Sequence, residues 1–327
     1  MEKVKWGIIG CGNVTEVKSG PAFNKVENSE LVAVMRRDAG LAADYARRHH
    51  VPKWYDNADE LINDPEVNAI YVATPPDTHE LYAIKAMQAG KPVYVEKPMG
   101  RNTAECQRMI DVSEKTGVPL FVAYYRRAMP YFQKVKELVD SGLIGDIRFV
   151  HISLQWQPHE EETGKLVKTR WRVDPEISGG GHFHDLASHQ FDFLEYVFGP
   201  VKYASGITAN QAGLYTADDI TVANWEFESG VLGTGSWCFT VSREQRQDEA
   251  RIMGSKGQII FSFFEKFDIT VITEKGTEVF TIPYPEHVQQ PLITQIVGEL
   301  IGKGQAVSTG KTGIRSNLII DMITGKA

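Results

Sequence analysis

A chain of 327 residues exceeds what one ordinary hydrophobic core holds and suits two domains. Its composition is globular, 42% hydrophobic and 24% charged, and the early apolar stretch 4–11 is too short and too glycine-containing for a membrane span or a secretory leader. A net charge of −7 with scattered Lys and Arg lacks the basic stripe of a nucleic-acid binder; the well-separated Cys11, Cys106 and Cys238 frame no disulfide set or zinc pair, which points to the reducing cytoplasm.

In chain order, residues 4–9 read as a buried strand, followed by a glycine turn and a helix to about residue 25. A strand at 31–35 and a helix at 39–50 come next. A third strand at 69–73 stops at Thr74-Pro75-Pro76, where two prolines end any ladder. A helix over 78–89 closes on Gly90, and the strand 93–95, the helix 103–116 and the strand 120–122 complete the series. Near-continuous apolar strands alternating with helices imply a parallel sheet covered on both faces.

After about residue 123 the rhythm changes. A helix at 131–141 precedes a strand at 146–156 in which Val150, Ile152, Leu154 and Trp156 alternate with Phe149, His151, Ser153 and Gln155. Further strands are expected at 201–209, 220–227, 231–240, 251–253, 258–263, 267–272 and 279–282, interrupted by one helix at 184–198. The expected fold class is α/β. An N-terminal Rossmann domain with a doubly wound parallel sheet spans 1–122, and a C-terminal α+β domain with a large open, mostly antiparallel sheet spans 123–327. The site is expected in the cleft between them, and the open sheet suggests a homodimer or homotetramer.

Gly10-Cys11-Gly12-Asn13-Val14-Thr15 follows the first strand and opens a helix. The first glycine permits the tight turn, the second lets backbone amides reach a pyrophosphate, and the helix start adds partial positive charge. Thr15 stands where a third glycine is usual. At the end of the second strand an NAD site wants a carboxylate for the ribose hydroxyl; here Arg36 and Arg37 stand, then Asp38. Two guanidiniums suit a 2′-phosphate, so NADP(H) is favoured over NAD(H), while the plainer reading makes Asp38 a helix cap beside two solvated arginines.

Glu96-Lys97-Pro98 lies at the C-terminal end of a parallel strand, where open α/β sheets bind ligands. A lysine there can hydrogen-bond or protonate a carbonyl oxygen as hydride reaches carbon. With Gly10 and Gly12, Ala73-Thr74-Pro75-Pro76 with His79, the run 90–98, Arg126-Arg127 with Pro130, and Gly179-Gly180-Gly181 followed by Asp185, His189 and Asp192, the sequence resembles the glucose-fructose oxidoreductase, inositol dehydrogenase and rhizopine-catabolism (Gfo/Idh/MocA) family over nearly its whole length. Some features resemble its 1,5-anhydrofructose reductase branch. The resemblance implies NAD(P)-dependent chemistry on sugars, polyols or their derivatives. It also implies that Lys97 is the active-site lysine, Asp185 the acid and His189 the proton-transferring histidine, with Thr74, Pro75, His79 and Glu96 near the cofactor.

The residues support this independently, since Asp185 and His189 are four apart on an expected helix and Asp192 continues the face. The three glycines before them would let backbone approach a ligand closely. Trp171-Arg172 offers an aromatic plane and a hydrogen-bond fork for a hydroxylated ring, and Tyr124, Arg126 and Arg127 lie where the chain crosses between domains. His182 and His184 depart from the family pattern. They suggest a metal cluster with Asp185 and His189, but the dinucleotide turn and Lys97 supply a hydride-transfer site without metal, so His184 or His182 is expected to contact substrate or simply to pack. Two rival readings are a non-catalytic dinucleotide-binding sensor and a redox-neutral elimination or glycoside cleavage with retained nicotinamide.

Overall fold

Strands β1 (Val4–Ile9), β2 (Ser29–Met35), β3 (Lys53–Tyr55), β4 (Ala69–Val72), β5 (Val93–Val95) and β6 (Leu120–Val122) form one parallel sheet in the order β3-β2-β1-β4-β5-β6 in the computed structural model, which describes residues 1–163 and 170–326. This is the doubly wound order, reversing direction between β1 and β4. The period-2 alternation sorts the side chains by type. Ile9, Ile70, Val72, Val93 and Val95 join an aliphatic cluster with Leu61, Met87 and Met109, whereas Trp6, Tyr71 and Tyr94 stack on the opposite face with Phe23. Each ring is fully buried, contributing roughly 1.5–3 kcal/mol or more from lost apolar hydration.

Strands β7 (Ile147–Gln155), β8 (Val201–Ala209), β9 (Ile220–Phe227), β10 (Leu232–Cys238), β11 (Gln247–Gly254), β12 (Gly257–Phe261), β13 (Asp268–Thr273) and β14 (Gly276–Thr281) form a second sheet, ordered β14-β13-β12-β11-β7-β10-β9-β8. Every pairing is antiparallel except β7 with β10. Val150, Ile152 and Leu154 face inward, as their alternation required. The helix Gly181–Phe198 covers this inner face, with Phe191 against Trp225 and Trp237 and Gln190 Oε1 accepting from the Trp237 indole at 2.6 Å.

Several elements differ from expectation. The helix expected to reach residue 25 is two pieces, Asn13–Val17 and Ala22–Lys25. Between them, a Cβ on Gly20 would strike the Thr15 carbonyl and the Tyr45 hydroxyl. The edge strand β3 and the helix Ala58–Asn63 escaped notice because three residues carry no periodicity. The expected strand 251–253 lies in the C-terminal half of the longer β11, and helices Gln290–Leu300 and Gly310–Thr324 were unforeseen. The chain divides into two units, one of Met1–Met129 with Pro285–Ile314, the other of Pro130–Tyr284 with Arg315–Ala327. A single cut near residue 122 therefore misses a segment that returns to the parallel sheet, where the Thr309 backbone bridges Phe121.

Candidate active site

In the first unit the glycine turn is tied to the sheet by backbone. The N–H groups of Gly10 and Cys11 both donate to the Met35 carbonyl, at 2.8 and 3.1 Å. Gly10 has φ +93°, and a Cβ there would meet Thr74 at 2.7 Å. Above Gly12 the space is open, with nothing nearer to an added Cβ than 3.9 Å. That opening, beside the amides of Asn13 and Val14 at the helix start, is a cradle with room for a pyrophosphate, so the turn fits a dinucleotide. Thr15 does more than fill the third glycine position. Its hydroxyl accepts from Gly12 N–H at 3.1 Å and donates to Gly12 O at 2.8 Å, while its own carbonyl accepts from buried Tyr45 at 2.7 Å.

At the end of β2, half-buried Arg36 donates to the Cys11 carbonyl at 3.3 Å, and Arg37 is exposed. Asp38 accepts from Leu41 N–H at 3.0 Å and caps the helix Ala39–Arg48, so its carboxylate is already engaged. Burial raises the Cys11 thiol to about 11, which keeps it protonated and inert.

Glu96 continues the β5 alternation onto the aromatic face. Its Oε1 accepts from Tyr71 OH at 2.5 Å and from Gln289 Nε2 at 2.6 Å, and its Oε2 accepts from the Lys97 backbone N–H at 3.1 Å. Burial, with the Glu96 charge second, holds both Tyr71 and Tyr94 well above the usual phenol range, so they remain donors. The Lys97–Pro98 peptide is cis. His79, expected beside the cofactor, is fully buried and lies between two turns, Nδ1 facing the Pro98 carbonyl at 3.0 Å and Nε2 the Thr74 carbonyl at 2.8 Å. Burial lowers its pKa despite those carbonyls, and the neutral ring donates to one of the two. Glu96 likewise acts through backbone. Arg126 and Arg127 are buried, with Arg126 over the Tyr125 ring at 5.2 Å.

In the second unit Asp185, His189 and Asp192 share the helix Gly181–Phe198, with Asp185 partly exposed and the other two buried. Arg172 lies over the Trp171 ring, 4.5 Å from its centroid, and its Nε is 4.0 Å from the Asp185 carboxylate. The Trp171-Arg172 pair and Asp185, singled out separately in sequence, thus form one group. The glycines before the helix differ from expectation. A Cβ on Gly180 would overlap the His184 ring, at 2.0 Å from Nδ1, and one on Gly181 would reach Ala217 at 2.5 Å. Their lack of side chains serves packing within the unit. His184 is buried against Gly180, neither ring nitrogen has a well-formed hydrogen bond, and burial, helped by the Lys326 charge, pulls its pKa down to about 3. It is a neutral packed imidazole. His182 pairs instead with buried Glu162 at 2.7 Å. Among the described residues no group of three His, Cys, Asp or Glu is arranged to hold a metal, and no helix is long and apolar enough to cross a membrane.

Sequence reasoning missed Gln289 and Glu162. Both partners lie far along the chain or in polar stretches without periodicity, and only the fold brings Gln289 to Glu96.

Comparison with known proteins follows the same division. The model of an oxidoreductase family with an NAD-binding Rossmann fold matches residues 4–124, and that of the Gfo/Idh/MocA C-terminal domain matches residues 132–260. The chain is 40% identical over 325 residues to Oxidoreductase P35 of Formosa agariphila, covering 99% of each. It is 28% identical over 260 residues to trans-1,2-dihydrobenzene-1,2-diol dehydrogenase of Bos taurus, covering 78% of this chain and 72% of that one. A structure of levoglucosan dehydrogenase in complex with NADH and levoglucosan shares the fold, with TM-score 0.86 at 21% identity over 99% of this chain and 97% of that one.

Proposed function

Since the chain belongs to the Gfo/Idh/MocA family of NAD-binding oxidoreductases, we propose that it transfers hydride between a nicotinamide dinucleotide and a carbonyl or hydroxyl carbon of a sugar, polyol or sugar derivative. The observation that carries this reading is Lys97, at the C-terminal end of β5 on a backbone anchored by Glu96, in the same unit as the open cradle over Gly12. The relatives named for a diol and for an anhydro sugar motivate the substrate class.

A bound nicotinamide would supply the hydride donor or acceptor chemistry. Gly10, Gly12, Asn13 and Val14 would hold the pyrophosphate, with Thr74 and Pro75 as further dinucleotide contacts. Lys97 hydrogen-bonds and polarises the substrate oxygen. His189 takes or returns the hydroxyl proton, and Asp185 sets the charge and orientation around it. Arg172 and Trp171 give a fork and a plane for a hydroxylated ring, and Arg126 is a further substrate contact.

NADP(H) is the favoured cofactor, with NAD(H) as the alternative. The support is that Arg36 and Arg37 follow β2 while the Asp38 carboxylate is engaged as a cap. We further propose a homo-oligomer built through the outward face of the second sheet. There Ile207 pairs with Val222 and both are exposed, Ile207 at 79%, with exposed Tyr203 and Leu232 on the same face. Three reduced cysteines suit the cytoplasm.

Titration of NADPH against NADH, followed by an absorbance screen over ketoses, aldoses, polyols and anhydro sugars, tests the proposal. Tighter NADPH binding that reverses in Arg36→Asp is expected. Equal affinity for both cofactors in wild type and variant would remove the NADP preference, and absence of turnover across the panel would remove the substrate class.

A further inference from the structure

The segment that returns to the first unit carries, near its start, a residue that no motif marks. Gln289 is fully buried and spans two groups with opposite needs: its Oε1 accepts from Tyr94 OH at 2.7 Å, and its Nε2 donates to Glu96 Oε1 at 2.6 Å. An amide is the side chain that can accept at one end and donate at the other, and both ends are used. The segment is itself fixed. Gln289 N–H donates to the Lys18 carbonyl at 3.2 Å. His287 Nδ1 lies 2.6 Å from the Val17 carbonyl, and its Nε2 lies 2.6 Å from Lys25 Nζ; Lys25 can only donate, so Nδ1 carries the proton. The same stretch therefore grips the end of the helix that opens at the dinucleotide turn and the carboxylate that holds the Lys97 backbone.

We propose that Gln289 is a positioning residue for the hydride-transfer site, acting through Glu96 on Lys97; this rests on the function proposed above. With Tyr71 and the Lys97 N–H it completes three donors to one buried carboxylate, two of them on Oε1. Loss of the amide leaves Tyr94 without its acceptor and Glu96 one donor short, and the Lys97 turn is then free to shift.

Gln289→Leu and Gln289→Glu, with melting temperature and dinucleotide affinity measured beside turnover, test this. In Gln289→Leu, kcat is expected to fall about ten- to a hundredfold, the loss of one hydrogen bond to a charged group. KM and dinucleotide affinity should stay within about threefold, a kcat-only loss that marks a transition-state role. Gln289→Glu adds a pH signature. At neutral pH the introduced carboxylate repels Glu96 and offers it no donor; on acidification the introduced carboxyl, once protonated, donates to Glu96 as the amide does. The other groups around this pair are Tyr71 on β4, Tyr94 on β5, His79 on its helix and Lys97 itself. Only the introduced carboxyl differs from wild type, so turnover relative to wild type at each pH should recover as pH falls, and the melting-temperature deficit should shrink in parallel.

Wild-type turnover with both variants within about twofold and unchanged pH profiles would overturn the inference alone. So would joint loss of turnover and dinucleotide binding without recovery in acid, which marks a general structural role. Absence of wild-type turnover would overturn the proposed function and this inference with it.

Discussion

Two glycine turns each introduce a helix that carries site residues, and they use glycine for opposite reasons. At Gly12 the missing side chain leaves space, with nothing closer than 3.9 Å. At Gly180 and Gly181 the space is filled from within by His184 and Ala217. The first turn is shaped for something the chain does not itself supply, and the second for the chain's own packing. Residue type alone does not distinguish them; the neighbour of the absent Cβ does. A similar contrast runs through the histidines. His79 has a carbonyl facing each nitrogen, whereas His184 is packed with neither nitrogen well bonded.

The contrast is sharpened first by the reacting residues. Lys97→Ala in one unit and His189→Ala in the other should each lower kcat about a hundred- to ten-thousandfold while dinucleotide affinity holds. Steady-state kinetics beside a binding titration checks this, and near-normal turnover in either variant removes that residue from the mechanism.

The glycines come next, with a crossover. Gly180→Ala should destabilise by about 1–3 kcal/mol, because its Cβ overlaps the His184 ring, and leave dinucleotide affinity of the folded protein unchanged. Gly12→Ala should change stability by less than about 1 kcal/mol and weaken dinucleotide binding by about tenfold or more. Denaturant melts and binding titrations on both variants decide it; equal behaviour would dissolve the distinction.

The smallest effect is in acid. His184 titrates near 3 when folded and near 6.5 when unfolded, so the unfolded chain binds the proton first as pH falls. Its contribution is fully present above about 6.5 and drains away towards 3, with a slope of at most about 1.4 kcal/mol per pH unit. Buried His79, also shifted down, acts in the same direction. His184→Leu should flatten the acid side of a stability-against-pH curve. An unchanged slope would mean that His184 is not buried as a neutral ring.

Much of this was readable beforehand. Helix Thr103–Thr116 and strands β5, β6, β8 and β9 lie where apolar runs and turn residues placed them, since each is bounded by a clear stop such as Gly90 or Pro92. The glycine turn and Glu96-Lys97 were legible because their chemistry is local. What stayed hidden depends on distant contacts. Thr15 became a cap only when Gly12 folded back on it, β3 formed only as an edge to β2, and Gln289 reached Glu96 from 193 residues away. His79 and Glu96, placed near the cofactor by motif, are both buried, His79 between two backbone carbonyls and Glu96 on Tyr71, Gln289 and the Lys97 N–H, partners that spacing does not reveal.

The most direct test of the central claim is the near-ultraviolet absorbance of reduced nicotinamide followed during turnover of a sugar and polyol panel, with product measured in the same samples. The account predicts one dinucleotide oxidised or reduced per product formed, and loss of that signal in Lys97→Ala with dinucleotide binding retained. Product formed with no net change in nicotinamide, or dinucleotide bound with no turnover of any substrate, would contradict it.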